Sequence, residues 1–328
     1  MPQKEINKIL IIRLSSLGDI LLTTPVIRAL KMKYPSAQIH FAVRKDFEDA
    51  VHFNPYLDRI ILYDKNNPLF ARRELMHIGY DLIIDLQNNS RSRALSRNLT
   101  AVVHRFHKPT FKKLLLVWTK INLLKDFKTI SERYAESAAV KLDGKGLELS
   151  IPGEVFSRLE DGRKYIGFCP GARHFTKRWP PEYFIELGNS LTKLGYTIVI
   201  FGGADEAETC GKINSGIGGS INLQNDNRLL QLAADMKTCT AIVANDSGLM
   251  HVAAAVGVPV IAVFGSTVKE LGFAPFGVEN LVLENKSLSC RPCSHIGKAK
   301  CPKKHFKCMM DLTPQIVFSN SQKFLSTL

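Results

Sequence analysis

Short runs of β-branched and aliphatic residues alternate with amphipathic stretches along almost the whole chain. That alternation is the mark of βα units built around parallel sheets, where strands are buried on both faces and each crossover is a helix. In the first half, strands are predicted at Lys8–Ile12, Gln38–Val43, Arg59–Leu62, Leu82–Asp85 and Ala101–Arg105, with a basic, apolar helical stretch over Lys112–Val140. The pattern weakens at Gly144–Glu160, where Gly144, Gly146, Pro152 and Gly153 are breakers, and then restarts. Strands follow at Tyr165–Phe168, Thr197–Phe201, Ser220–Leu223, Ala241–Ala244, Val258–Phe264 and Asn280–Leu283. Helices are predicted at Pro181–Leu194, Asp205–Ile213, Arg228–Lys237 and Leu249–Val256. The prediction is therefore an α/β protein of two doubly wound, Rossmann-like domains facing each other across a cleft. They cover residues 1–160 and 161–312, and a terminal helix over 313–328 folds back on the first.

A length of 328 residues suits two domains. The 45% hydrophobic and 23% charged content is that of a soluble globular chain. The longest apolar candidate, Ala241–Phe264, is interrupted by Asn245, Asp246 and His251, so no membrane span is expected. The polar Met1–Glu5 start is too short for a secretory signal, and a cytoplasmic location is expected. The net charge of +14 favours an anionic partner: nucleic acid, an anionic membrane face or a phosphorylated substrate.

In open α/β sheets ligands bind beyond the carboxyl ends of the strands, so those loops carry the functional reading. After the first strand comes Arg13-Leu14-Ser15-Ser16-Leu17-Gly18-Asp19. A single glycine here argues against a dinucleotide fingerprint. Asp19 has two readings, a helix N-cap or a general base taking a proton from an attacking hydroxyl. Pro25 implies a kink or restart of the helix that follows.

In the second half, Ala241–Ala244 runs into Asn245-Asp246-Ser247-Gly248-Leu249-Met250-His251. Ser247 and Gly248 at a helix N-terminus offer backbone N–H groups to a diphosphate, Asp246 can accept from sugar hydroxyls, and His251 lies one turn in. The bland reading makes Asp246 the N-cap and His251 a packing residue. The loop after Tyr165–Phe168 carries Arg173, Thr176, Lys177 and Arg178, which suits a diphosphate leaving group or, more plainly, a solvated basic loop. Gly202-Gly203-Ala204-Asp205-Glu206 adds glycines for close approach and a carboxylate for a ribose.

Taken together, Ser15–Asp19, Lys177-Arg178-Trp179-Pro180 and Asn245–His251 resemble glycosyltransferase family 9, whose members include the ADP-heptose:lipopolysaccharide heptosyltransferases. The resemblance runs over nearly the whole chain in order and spacing. It implies a GT-B fold and an inverting transfer without a catalytic cofactor. An ADP-heptose donor and an anionic lipopolysaccharide-core acceptor are implied as partners, met at the inner face of the inner membrane as a peripheral enzyme. By position it makes Asp19 the base, Lys177 a phosphate ligand and Asp246 a donor-sugar ligand. Ser247, Gly248 and His251 become the donor phosphate site, with Thr176 beside it. Asp85-Leu86-Gln87 followed by Arg91-Ser92 resembles the acceptor-side strand end, which makes Arg91 an acceptor ligand. Another nucleotide sugar or acceptor stays open, as does a nucleotide-sugar epimerase.

Seven cysteines are present, and four of them, Cys290, Cys293, Cys301 and Cys308, form a Cys-x2-Cys-x7-Cys-x6-Cys cluster. Thiolates at such spacing are a half-familiar pattern for a structural zinc or iron. Lys298, Lys300, Lys303, Lys304 and Lys307 around them suggest a competing nucleic-acid module, but the complete α/β pair with ligand loops argues against nucleic acid as the partner.

Overall fold

A computed structural model describes residues 5–124, 128–225 and 228–328. Contacts divide the chain into two compact units, Met1–Lys108 with Ile130–Pro152, and Pro109–Thr129 with Gly153–Leu328. The junction thus falls at Pro152 rather than at residue 160, and Pro109–Thr129 belongs with the second unit. Among the described residues, no helix is long and apolar enough to cross a membrane.

In chain order the elements begin β1 (Lys8–Ile12), α1 (Leu17–Leu21), α2 (Thr24–Lys33), β2 (Gln38–Arg44), β3 (Arg59–Tyr63), α3 (Pro68–Met76), β4 (Leu82–Asp85), α4 (Ser90–Ser96) and β5 (Val102–Arg105). These are followed by α5 (Thr110–Thr119) and α6 (Ile130–Ser137). The first unit's strands form one parallel sheet in the order β3-β2-β1-β4-β5. β1 and β4 are buried along almost their whole length, which is why they read as continuous aliphatic runs. Pro25 sits at the start of α2, so the chain restarts its helix there after α1 ends. The stretch Lys112–Val140 is not one helix. α5 stops at Lys120, which takes a left-handed φ of 64°, and α6 begins at Ile130; residues 125–127 lie outside the described residues.

The second unit runs β6 (Tyr165–Cys169), α7 (Pro181–Thr192), β7 (Thr197–Ile200), α8 (Ala207–Gly216), β8 (Ile221–Asn222), α9 (Leu229–Lys237), β9 (Ala241–Asn245), α10 (Gly248–Ala255), β10 (Val260–Phe264), β11 (Asn280–Glu284), α11 (Lys307–Met310) and α12 (Pro314–Leu325). Its parallel sheet has the order β11-β10-β9-β6-β7-β8. The core gathers Phe168, Trp179, Phe184, Ile200, Val243 and Val263 around β6 and β9. The terminal helix α12 packs against α7 and β11, inside this unit, where the sequence suggested the first domain as its partner.

Each sheet reverses its winding between two central strands, β1 and β4 in the first and β6 and β9 in the second. Loops leaving such a pair diverge and open a crevice at the strand tips. Asp19 and Asp85 follow one pair; Lys177 and Asp246 follow the other.

Candidate active site

In the first unit Asp19 is the third residue of α1, and Ser16, not Asp19, is the N-cap. Asp19 Oδ2 accepts from the Ser16 hydroxyl at 2.7 Å, and its Oδ1 pairs with Arg13 at 2.8 Å. The carboxylate keeps 20% side-chain exposure, so it is anchored yet reachable from solvent. Tyr134, on α6, donates to Oδ1 at 3.5 Å, and the Arg13 guanidinium stands 5.5 Å from its ring centroid. Burial works against the Arg13 charge, but Tyr134, Asp19 and Asp85 outweigh it and hold its pKa above the ordinary arginine range. Burial likewise raises the Tyr134 phenol, keeping it a neutral donor.

Asp85 is fully buried and serves the scaffold. It accepts from the Gln87 and Asn88 amides and from the Ser92 hydroxyl at 2.9 Å. Gln87 in turn accepts from the Leu14 and Ser15 amides, which fixes the loop carrying Asp19. Arg91 is exposed on α4, while Arg93 donates to Asn88. Burial first, and then the charge of Arg91, lowers the pKa of Arg44 at the end of β2. Burial and Arg13 lower that of Lys108, with Asp85 and Asp19 acting against them. Arg13, Arg44, Arg91, Arg93, Arg105 and Lys108 therefore give this side of the unit an excess of positive charge around the carboxylates of Asp19 and Asp85.

In the second unit Lys177 and Asp246, 69 positions apart in sequence, are brought together at 2.7 Å. Thr267, just after β10, donates to the same Oδ2 of Asp246 at 2.6 Å. Oδ1 accepts no hydrogen bond among the described residues. Ser247, not Asp246, is the N-cap of α10, and its buried hydroxyl has no partner among the described residues. Gly248 opens the helix and His251 is buried one turn in. Asn245 fixes the neighbouring loop, accepting from the Trp179 amide and donating to the Pro170 carbonyl.

Thr176 is buried, and its hydroxyl is engaged by Ser266 at 2.9 Å and by the Lys298 amide at 2.8 Å. These bonds anchor the residue next to Lys177. His174 is pushed below its ordinary pKa by burial and then by Lys177, Arg173 and Arg178, which registers how positive this loop is. Glu206 Oε2 accepts from the Gly203 amide, and its side chain fills the space a Cβ on Gly171 would need, within 2.5 Å. The glycines in these loops thus make room for protein.

The four clustered cysteines carry free thiols, with Cys290 Sγ 3.9 Å from His305 Nε2. Among the described residues, no group of three or more His, Cys, Asp or Glu side chains converges closely enough to hold a metal ion, so the thiols as placed form no coordination sphere.

Sequence reasoning missed Arg13, Tyr134, Thr267 and Arg291. Arg13 and Thr267 stand at strand tips, where the rule for open sheets points; Tyr134 and Arg291 carry no such signal.

A family model described as glycosyltransferase family 9 (heptosyltransferase) matches residues 70–304. Lipooligosaccharide heptosyltransferase 2 of Campylobacter jejuni is 28% identical over 320 residues, covering 94% of this chain and 95% of the relative. The crystal structure of a family 9 glycosyltransferase from Veillonella parvula superposes with a TM-score of 0.80 at 24% identity, over 99% of each chain. That of the E. coli ADP-heptose LPS heptosyltransferase II gives 0.74 at 23% identity, over 98% of this chain and 99% of the other. The architecture is accordingly GT-B.

Proposed function

This chain belongs to glycosyltransferase family 9, the heptosyltransferase family, and we propose that it moves a heptose from ADP-heptose to the inner core of lipopolysaccharide with inversion at the anomeric carbon. The observation that carries the donor half is the cation–carboxylate pair of Lys177 and Asp246 beside the N-terminus of α10. The donor diphosphate takes Lys177 and the free amides at Ser247 and Gly248, where helix-end dipoles favour anions. His251 borders the same helix turn. Asp246 accepts from sugar hydroxyls through Oδ1. As the bond from the anomeric carbon to the phosphate oxygen breaks, its electron pair leaves with ADP, and Lys177 neutralises the charge that develops.

The acceptor hydroxyl supplies the new bond. Its oxygen attacks the anomeric carbon and its proton passes to Asp19, which later returns it to solvent. Arg13 pairs with that carboxylate and Tyr134 holds its direction. Arg91, with Arg44 beside it, receives the acidic groups of the acceptor. Two finer parts belong to the same proposal. Cys290, Cys293, Cys301 and Cys308 take a structural zinc or iron, argued from donor type and spacing alone, and no catalytic step runs through it. The protein also works as a peripheral enzyme on the anionic inner face of the inner membrane.

Incubating the enzyme with ADP-heptose and core acceptor stripped of heptose should release ADP and add one heptose mass to the acceptor. Transfer from a different nucleotide sugar, with none from ADP-heptose, would overturn the donor assignment. Elemental analysis should find about one metal ion per chain; metal-free, fully active protein would leave the four cysteines as thiols.

A further inference from the structure

The segment between Cys290 and Cys308 is stitched to the donor loops at three points. Arg291, between the first two cysteines, is buried, and its guanidinium is fully committed. It donates to the Gly265 carbonyl at 2.6 Å, the Thr267 carbonyl at 2.7 Å and the Asn285 carbonyl at 2.6 Å, and it pairs with Glu284 at 2.9 Å. The Cys293 amide donates to the Ser266 carbonyl at 3.2 Å. The Thr176 amide donates to the Lys298 carbonyl at 3.1 Å, and the Lys298 amide donates to the Thr176 hydroxyl, which also bonds the Ser266 hydroxyl. Gly265 admits this approach because a Cβ there would lie 2.7 Å from the Thr176 carbonyl oxygen.

The consequence falls on one carboxylate. Thr267, held by Arg291 through its backbone, clamps Asp246 Oδ2, the oxygen that also pairs with Lys177. With Oδ2 engaged twice, the group cannot rotate without breaking two charge-assisted bonds, and Oδ1 is left as the acceptor. We propose that Thr267 is a positioning residue for the donor sugar, and that the cysteine segment, acting through Arg291, is a wall of the donor site rather than an appended module. This rests on the reading of Asp246 as the sugar ligand. It explains why the cysteine-rich segment and the two strand-tip loops share so many hydrogen bonds. A change at Cys290 or Cys293 reaches the sugar through Arg291 and the Ser266–Thr267 backbone.

The test separates sugar from nucleotide. Thr267→Val should lower kcat/KM for ADP-heptose roughly tenfold or more, the scale of a bond to a charged group, while ADP alone binds within about twofold. Thr267→Ser should restore turnover. In an Asp246→Asn background Thr267→Val should add nothing, because the two act as a unit. Arg291→Lys, which loses the planar fork, should show the same sugar-selective loss; if that variant does not fold, the threonine pair still decides. Equal losses for ADP and ADP-heptose, no rescue by serine, or additive losses in the double variant would each overturn the inference. A silent Asp246→Asn would overturn the sugar-ligand reading and this inference with it. An impaired Asp246→Asn beside a silent Thr267→Val would overturn the inference alone.

Discussion

Lys177 and Asp246 neutralise each other at 2.7 Å in a nearly solvent-free setting, so a donor diphosphate must compete with a carboxylate for the lysine. Removing one partner of a buried pair costs about 3–5 kcal/mol when nothing else satisfies the other, and Thr267 still donates to Asp246, so the cost here sits at or below the low end. Lys177→Ala should therefore lower Tm by several degrees and depress donor kcat/KM together. Adding Asp246→Asn should recover Tm but not activity; a double variant as unstable as the single would mean the pair is not what the lysine stabilises. Asp19 sits differently, exposed enough to meet a substrate and tied down by Ser16 and Arg13. Asp19→Asn preserves shape and removes the proton acceptor, so kcat should fall roughly 10²–10⁴-fold with donor KM unchanged. Near-normal turnover in folded Asp19→Asn protein would reduce Asp19 to its role in the capping box.

The eleven strands among the described residues could be read from the chain to within about two residues, because a parallel strand buried on both faces is an unbroken aliphatic run between breakers. The long helical stretch was misread for the complementary reason. Its apolar content continues past Lys120, yet α5 ends there in a left-handed residue and α6 begins only at Ile130. The motif residues of the site were legible because Asp19 and Asp246 follow strands in recognisable loops. Their partners were not, since Thr267 meets Asp246 only through the packing of β10 beside β9, and Arg291 acts on it only by way of the Thr267 carbonyl. The same limit applies to His40 on β2, whose Nδ1 lies 2.9 Å from the Tyr80 hydroxyl. Burial first, and then Arg59 and Lys8, lowers the His40 pKa, with Asp58 opposing. The folded state therefore prefers neutral His40, and its contribution is present above the ordinary histidine pKa near ~6.5 and lost as pH falls below it. The parent Tm should drop between pH 7 and pH 5 more than that of His40→Leu/Tyr80→Phe, which removes the titration without stranding a hydroxyl. Parallel Tm–pH curves would show that His40 titrates as it does in the unfolded chain.

At the scale of the molecule, a net charge of +14 coexists with an apolar stripe on α5 that nothing in the described structure covers. Phe111 is 74% and Trp118 77% exposed, while the opposite face of the helix packs Leu116 against Leu124 and Leu271. Not every cation of this segment is free to meet a lipid headgroup. Lys113 lies over the Phe273 ring, and Lys120 donates to the Val117 and Pro292 carbonyls, which leaves Lys112 at the surface beside the aromatic stripe. An exposed aromatic edge with a neighbouring cation is the combination that seats a helix in a headgroup layer, each cation there contributing about 1 kcal/mol. Of the two tryptophans Trp179 is fully buried, so a change in emission on adding vesicles reports Trp118. Anionic vesicles should shift that emission to the blue at low salt, and raising the salt toward roughly 1 M, where charges are screened within about 3 Å, should reverse it. Phe111→Ala/Trp118→Ala should abolish co-sedimentation, Lys112→Glu should weaken it, and Lys113→Glu should weaken it less because that side chain is turned inward. Neutral vesicles should bind poorly throughout. No blue shift and no co-sedimentation at low salt would sink the membrane assignment and leave the basic surface of the first unit as the sole contact with an anionic acceptor.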